Sequence, residues 1–168
     1  MKDDFGMRIG MGYDIHPLSG GRKLMLGGVE IEHEKGLSGH SDADALIHAL
    51  CDALLGASNL GDLGEHFPET EEFKGAAGID LLRVVARLVT EAGWRLVNAD
   101  CIVHAEHPRL SPYRNRMAGA MAAALDAPAD RISIKFTRGE GMGPVGRGEA
   151  IAAQAVVLVS AAGEGGKR

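Results

Sequence analysis

The 168-residue sequence predicts an α+β (α/β layered) fold, a mixed β-sheet with helices packed on one face. Segments with the two-residue period of strands alternate with segments of helical period, in the order strand, small hairpin, helix, helix, strand, helix, strand, strand. Hydrophobic residues make up 45% of the chain but aromatic ones only 4%, so the core must be built from Ala, Val, Leu and Ile. No G-x-G-x-x-G follows a strand to open a helix and no Walker sequence occurs, which sets aside dinucleotide-binding and P-loop folds. The length suits a single domain over 1–168, folded over 8–161, with flexible tails at 1–6 and 163–168.

Taken in order, 8–16 alternates Ile9, Met11, Tyr13 and Ile15 against glycines and Asp14, the period of a strand. Asp14 and His16 are two apart, so both point to the same side at its end and can converge on one ion; the pair is equally compatible with an incidental placement. Segments 23–26 and 29–31 flank Gly27-Gly28 and predict a hairpin.

The stretch 40–56 predicts a four-turn helix. Ser41 is a suitable N-cap with Asp44 three residues on, and Gly56 suits the left-handed C-cap position. Leu46, Ala49, Leu50, Ala53 and Leu54 recur at helical spacing as a core stripe. Asp44, His48 and Asp52, four apart, fall along one face that packing does not need. A carboxylate one turn from an imidazole can orient it, although a lone helical histidine also occurs as an ordinary buried residue.

The acidic, glycine-containing stretch 60–78 reads either as a functional loop or as a surface one. A packing helix follows over 79–92, then a strand over 95–106 with Val97, Ala99, Cys101 and Val103 on one face. Ser111 is placed to cap and Pro112 to start a helix reaching 126. Strands over 131–138 and 150–160 enclose a glycine-rich turn at 139–149, of the kind that brings backbone N–H groups to phosphates or simply serves as a turn.

The formal net charge of −5, with interspersed signs and no basic block, argues against nucleic acid or a membrane as partner. The longest apolar run, 150–162, is strand-like and interrupted by Gln154 and Ser160. Cys51 and Cys101 are the two cysteines, each in an apolar setting, and fit a reducing cytoplasm.

Four motifs occur together and in order: Gly12-Tyr13-Asp14-Ile15-His16; Gly39-His40-Ser41-Asp42-Ala43-Asp44 with His48 to Gly56; Leu60-Gly61-Asp62-Leu63-Gly64 with Phe67-Pro68; and Gly146-Arg147-Gly148-Glu149. Over nearly the whole chain this resembles the 2-C-methyl-D-erythritol 2,4-cyclodiphosphate synthase family of the non-mevalonate isoprenoid pathway. The resemblance implies a cytidine diphosphate substrate, 4-diphosphocytidyl-2-C-methyl-D-erythritol 2-phosphate, cyclised with release of CMP by a homotrimer whose active sites lie between subunits.

By matching position, the resemblance makes Asp14, His16 and His48 ligands of zinc or a similar divalent transition metal. Glu140 matches the ligand of a second ion, magnesium or manganese. His40 and Ser41 match phosphate contacts at the helix start, His40 with a catalytic role, and Ile15 lies within the first motif. Asp62, Leu63 and Gly64 match the ribose region, and Phe67, Pro68, Glu69, Thr70 and Glu71 the flap over the methylerythritol part. Ala105, Glu106, His107, Pro108, Arg109, Leu110 and Ser111 match the cytosine and phosphate pocket of a neighbouring subunit. Thr137, Arg138, Gly139, Glu140, Pro144 and Arg147 belong to the phosphate-side turn; Arg147 and Glu149 also match an axial cavity lining, or form an inter-subunit ion pair.

One departure stands out. Relatives carry Thr-Thr-Thr-Glu where this chain has Thr137-Arg138-Gly139-Glu140, so a catalytic hydroxyl is replaced by a cation. The expectation is that Arg138 contacts a phosphate and that activity survives with altered metal dependence. The alternatives are a catalytically impaired trimer that binds a nucleotide or isoprenoid, and a metal-dependent phosphodiesterase.

Overall fold

A computed structural model describes residues 6–162. The expected tails at 1–5 and 163–168 lie outside that range. Gly6 belongs to the fold: its carbonyl accepts from the Ala161 N–H at 2.7 Å.

The first strand, β1 (Met7–Gly20), is followed by three short ones, β2 (Leu24–Leu26), β3 (Val29–Ile31) and β4 (Lys35–Leu37). Then come α1 (Ala45–Ser58), a single turn α2 (Leu63–His66) and α3 (Gly78–Glu91). The second half runs β5 (Trp94–His104), α4 (Arg114–Ala124), β6 (Ile132–Thr137), a turn of helix α5 (Gly143–Gly146) and β7 (Ala150–Ala161). Five strands form a mixed sheet in the order β4-β1-β7-β5-β6, and β2 and β3 pair separately as the expected hairpin. β1 and β5 both run antiparallel to β7, while β5 and β6 are parallel and joined by α4. Of the two strand features that sequence did not show, β4 pairs only through Leu18 to Gly20 of β1. The other is a bulge between Leu96 and Asn98, which takes Val97 out of the alternation expected with Ala99, Cys101 and Val103.

The helices cover one face of the sheet. α1 is buried almost all round, and Asp52 and Gly56 are its only residues not fully enclosed. Its contact with β1 is unusually close. A Cβ at Gly12 would lie 1.9 Å from the Ala49 carbonyl oxygen, and one at Gly10 1.9 Å from that of Ala53. Glycine on the strand against alanine on the helix thus lets backbone meet backbone.

This arrangement decides which face of β1 is inside. Gly10, Gly12, Asp14 and His16 face α1, and the apolar alternates face outward. Ile9 is 76% exposed, Met11 73% and Tyr13 50%, continued on β7 by Val156. Toward the other edge the same open face becomes polar, with Asp100 and Lys135 paired at 2.6 Å.

Two caps differ from expectation. α1 is capped by Asp44, whose carboxylate accepts from the Ile47 N–H, and it ends at Asn59 in the left-handed conformation (φ 57°), with Gly56 inside the helix. Asp44 displaces Ser41 as cap because its carboxylate also accepts from Gly27 and Gly28 at 2.9 and 2.7 Å, which ties the hairpin turn to the helix start. In the second case, Ser111 and Pro112 form a 3-10 turn ahead of α4, and the Ser111 hydroxyl accepts from Arg109 instead of capping.

Candidate metal centre and the two clefts

Asp14 and His16 come from the end of β1, and His48 from the second turn of α1. Gly12 and Ala49 hold these elements close enough for the three side chains to meet. Asp14 Oδ2 lies 2.8 Å from His16 Nε2 and 3.0 Å from His48 Nδ1, and the two imidazole nitrogens are 3.2 Å apart. One ligand atom from each lies within 4.8 Å of those from the other two, and among the described residues no other group of His, Cys, Asp or Glu does this.

The outer nitrogens are held as well. His16 Nδ1 donates to the Ser38 carbonyl at 3.1 Å, which turns Nε2 inward. His48 Nε2 lies 3.2 Å from the Ser41 hydroxyl, which leaves Nδ1 facing the cluster. Burial works to raise the Asp14 carboxyl, but hydrogen bonds from His16 and His48 outweigh it and hold the group well below the usual carboxylate range. The hydrogen bond to Asp14 raises His16 above its ordinary 6.5. An anionic oxygen and two imidazoles with fixed inward nitrogens are a donor set that suits a divalent transition metal with a fourth position open.

Above the cluster is a cavity of about 210 Å³ lined by Asp14, His16, His40, Ser41 and His48, with Leu63, Gly64, Phe67 and Glu69 across from them. All nine belong to the expected site. Phe73 and Leu81 complete the lining and are additions, because nothing in the sequence distinguishes them from ordinary packing residues. The loop over the cavity is laced to its floor: His40 Nε2 donates to the Thr70 carbonyl at 2.6 Å, the Gly75 N–H reaches the His40 carbonyl, and Phe67 stacks edge-on against Phe73.

Several residues of and around the expected site also make structural contacts. The fully buried Asp44 carboxylate occupies the start of α1. Asp52 does not touch His48; it accepts from the Leu63 N–H at 2.8 Å and thereby anchors α2 to α1, and burial raises its carboxyl. Asp62 caps α2 through the Glu65 N–H. The Ile15 side chain is on the open face, away from the cluster, as alternation requires. Pro68, Thr70 and Glu71 are on the loop but not in the cavity lining.

A second cleft of about 450 Å³ is lined by Ala105 to Ser111 with Phe136, Thr137 and Arg138, and it shares no residue with the first. Its rim is organised by Glu106. That carboxylate pairs with Arg138 and accepts from the Gly139 and Glu140 N–H groups, both at 3.1 Å. The hydrogen bond from Arg138 lowers the Glu106 carboxyl, and the same contact raises Arg138. Glu140, in the left-handed conformation, sits on this turn and outside the Asp14, His16, His48 group. Pro144 lies in α5, and Arg147 forms a two-point ion pair with Glu149 within the chain.

The chain matches the model of the YgbB family over residues 7–160. It is 56% identical to the 2-C-methyl-D-erythritol 2,4-cyclodiphosphate synthase of Moorella thermoacetica over 154 residues, covering 91% of this chain and 94% of that one. Identity to the synthase of that name from Syntrophomonas wolfei is 50% over 157 residues, 93% of this chain and all of the other. A solved structure of 2C-methyl-D-erythritol-2,4-cyclodiphosphate synthase in a CDP-bound form superposes with a TM-score of 0.83 at 38% identity, over 91% of this chain and the whole of that one.

Proposed function

The chain belongs to the YgbB family, and we propose that it catalyses the reaction for which its relatives are named, forming 2-C-methyl-D-erythritol 2,4-cyclodiphosphate in the non-mevalonate route to isoprenoids. The observation that carries this reading is the convergence of Asp14, His16 and His48 beneath a cavity lined by His40, Ser41, Leu63, Gly64, Phe67 and Glu69. The substrate is 4-diphosphocytidyl-2-C-methyl-D-erythritol 2-phosphate. An oxygen of its 2-phosphate attacks the β-phosphorus, a new P–O bond closes the ring, and the bond from the β-phosphorus to the bridging oxygen breaks. CMP leaves with the electron pair.

The attacking phosphate is already anionic near neutral pH, so the protein need not supply a strong base. What it must supply is alignment and charge neutralisation. Asp14, His16 and His48 would hold a divalent transition metal such as zinc, which when bound polarises a phosphate oxygen. Glu140 would hold a second ion, magnesium or manganese, and Arg138 would face a phosphate in place of the hydroxyl of relatives. His40, now on the Thr70 carbonyl, releases the loop and turns to a phosphate when substrate enters. Phe67 and its neighbours close over the methylerythritol part.

The two clefts are separate within one chain, and the nucleotide pocket at 105–111 would therefore complete the metal cleft of a neighbouring subunit. The outward row of Ile9, Met11 and Tyr13 supplies an apolar surface for such a homotrimer. Two unpaired thiols, Cys51 and Cys101, fit a cytoplasmic enzyme. No described helix is long and apolar enough to cross a membrane.

Phosphorus NMR of the purified protein with zinc, magnesium and the substrate tests the reading. Cyclic diphosphate with equimolar CMP is expected. A linear hydrolysis product would make it a phosphodiesterase, and no turnover would make it an impaired binder.

A further inference from the structure

Ser41 is nine-tenths buried at the edge of the cavity, and its hydroxyl does not cap α1. Its oxygen accepts from the Ala43 N–H at 3.1 Å and lies 3.2 Å from His48 Nε2, the nitrogen that faces away from Asp14. Ala43 is in the left-handed conformation (φ 58°), so the chain bends sharply here. That bend keeps the hydroxyl over the imidazole.

His48 Nδ1 is 3.0 Å from Asp14 Oδ2. An imidazole that donates Nδ1–H to this carboxylate would present a bare Nε2 outward, whereas one that gave Nδ1 to a metal would carry its N–H on Nε2. The outer partner of His48 must therefore be an acceptor in one state and a donor in the other. A hydroxyl can be either, by rotating one hydrogen; a carboxylate or carbonyl can only accept, and a methyl can do neither. His16 has no such versatility, since the Ser38 carbonyl fixes Nδ1–H permanently.

We propose that Ser41 is a positioning residue of the metal centre, whose hydroxyl holds the outer nitrogen of His48 and follows the ring between its metal-free and metal-bound tautomers. This rests on the reading of Asp14, His16 and His48 as metal ligands. It adds a role for Ser41 to the phosphate contact that the resemblance implies. In the metal-bound state the hydroxyl accepts from both Ala43 and His48, and its own hydrogen alone is left for an anion.

Zinc affinity, measured without substrate by chelator competition on the full-length protein, separates the two roles. Ser41→Ala is expected to weaken zinc by about 10–100-fold, the usual cost of losing an outer partner of a ligating histidine, and Ser41→Thr to restore most of it. Melting curves of the chelated proteins check that both variants fold; if Ser41→Ala does not, Ser41→Cys, a poorer hydrogen-bonding group, takes its place with the same expected order. Unchanged zinc affinity with only a raised KM would overturn the proposal and return Ser41 to the phosphate. Failure of the parent protein to bind zinc would overturn the ligand reading itself.

Discussion

The two clefts are built in opposite ways. In the first cleft, Asp14, His16 and His48 rise from a strand and a helix whose backbones are pressed together, and their side chains are largely enclosed. The second cleft lies where β6 ends at Thr137, most of its lining comes from the loop 105–111, and order comes from one carboxylate, Glu106, holding a turn whose Arg138 is 57% exposed. A metal tolerates ligand displacement poorly and needs the first design. A nucleotide pocket that is finished by another subunit, as proposed, can use the second.

Substitutions should separate the clefts by size of effect. His48→Ala is expected to abolish stoichiometric zinc binding and turnover together, a loss greater than the ~10–100-fold of an outer partner; a variant that retained one zinc per chain by elemental analysis would break the assignment. Asp44→Ala comes next, because it leaves buried N–H groups of Gly27, Gly28 and Ile47 without their acceptor. At about 1–3 kcal/mol for each unsatisfied group, a stability loss of roughly 3–5 kcal/mol is expected in urea unfolding, with the hairpin and the start of α1 loosened together.

Gly12→Ala should cost about 3 kcal/mol through overpacking and weaken zinc as well, since relief requires α1 to move from β1. Zinc titrations at several pH values give a subtler contrast. The folded value of His16 is raised, so its contribution to the stability of the metal-free protein is complete below about pH 6.5 and is lost as pH rises through the raised value. Zinc must displace that proton, and affinity should therefore climb across the same interval. Arg138→Thr is expected to do least: the fold is unaffected, and KM changes by about tenfold if the guanidinium meets a phosphate. A variant that is active where the parent is not would show that the parent is no working synthase.

Much of this could be read from the sequence, and the exceptions have physical causes. The i, i+2 spacing of Asp14 and His16 and the helical setting of His48 were each weak signals on their own, and the order of the four motifs, through the family resemblance, is what nominated the three together. The cap of α1 lies three residues later than expected, at Asp44 and not Ser41, because the Asp44 carboxylate also accepts from the Gly27 and Gly28 N–H groups, remote in sequence. Ser41 and His48 are seven apart and meet only because of the bend at Ala43, which no periodicity reports. Phe73 and Leu81 enter the cavity through the path of a loop, and loop paths have no sequence period. The polar row of Asp44, His48 and Asp52 looked like one surface and serves three separate partners: the hairpin, Asp14 and α2.

The glycines at 10 and 12 have an implication for how this protein can change over generations. At both, the first atom an added methyl group would strike is a carbonyl oxygen of α1, at 1.9 Å. No replacement of Ala49 or Ala53 removes that oxygen, so a lesion at either glycine has no suppressor on the facing helix. Drift is barred at these two sites, while on the outward side of the same strand Ile9 and Met11 are free to vary with whatever surface they meet.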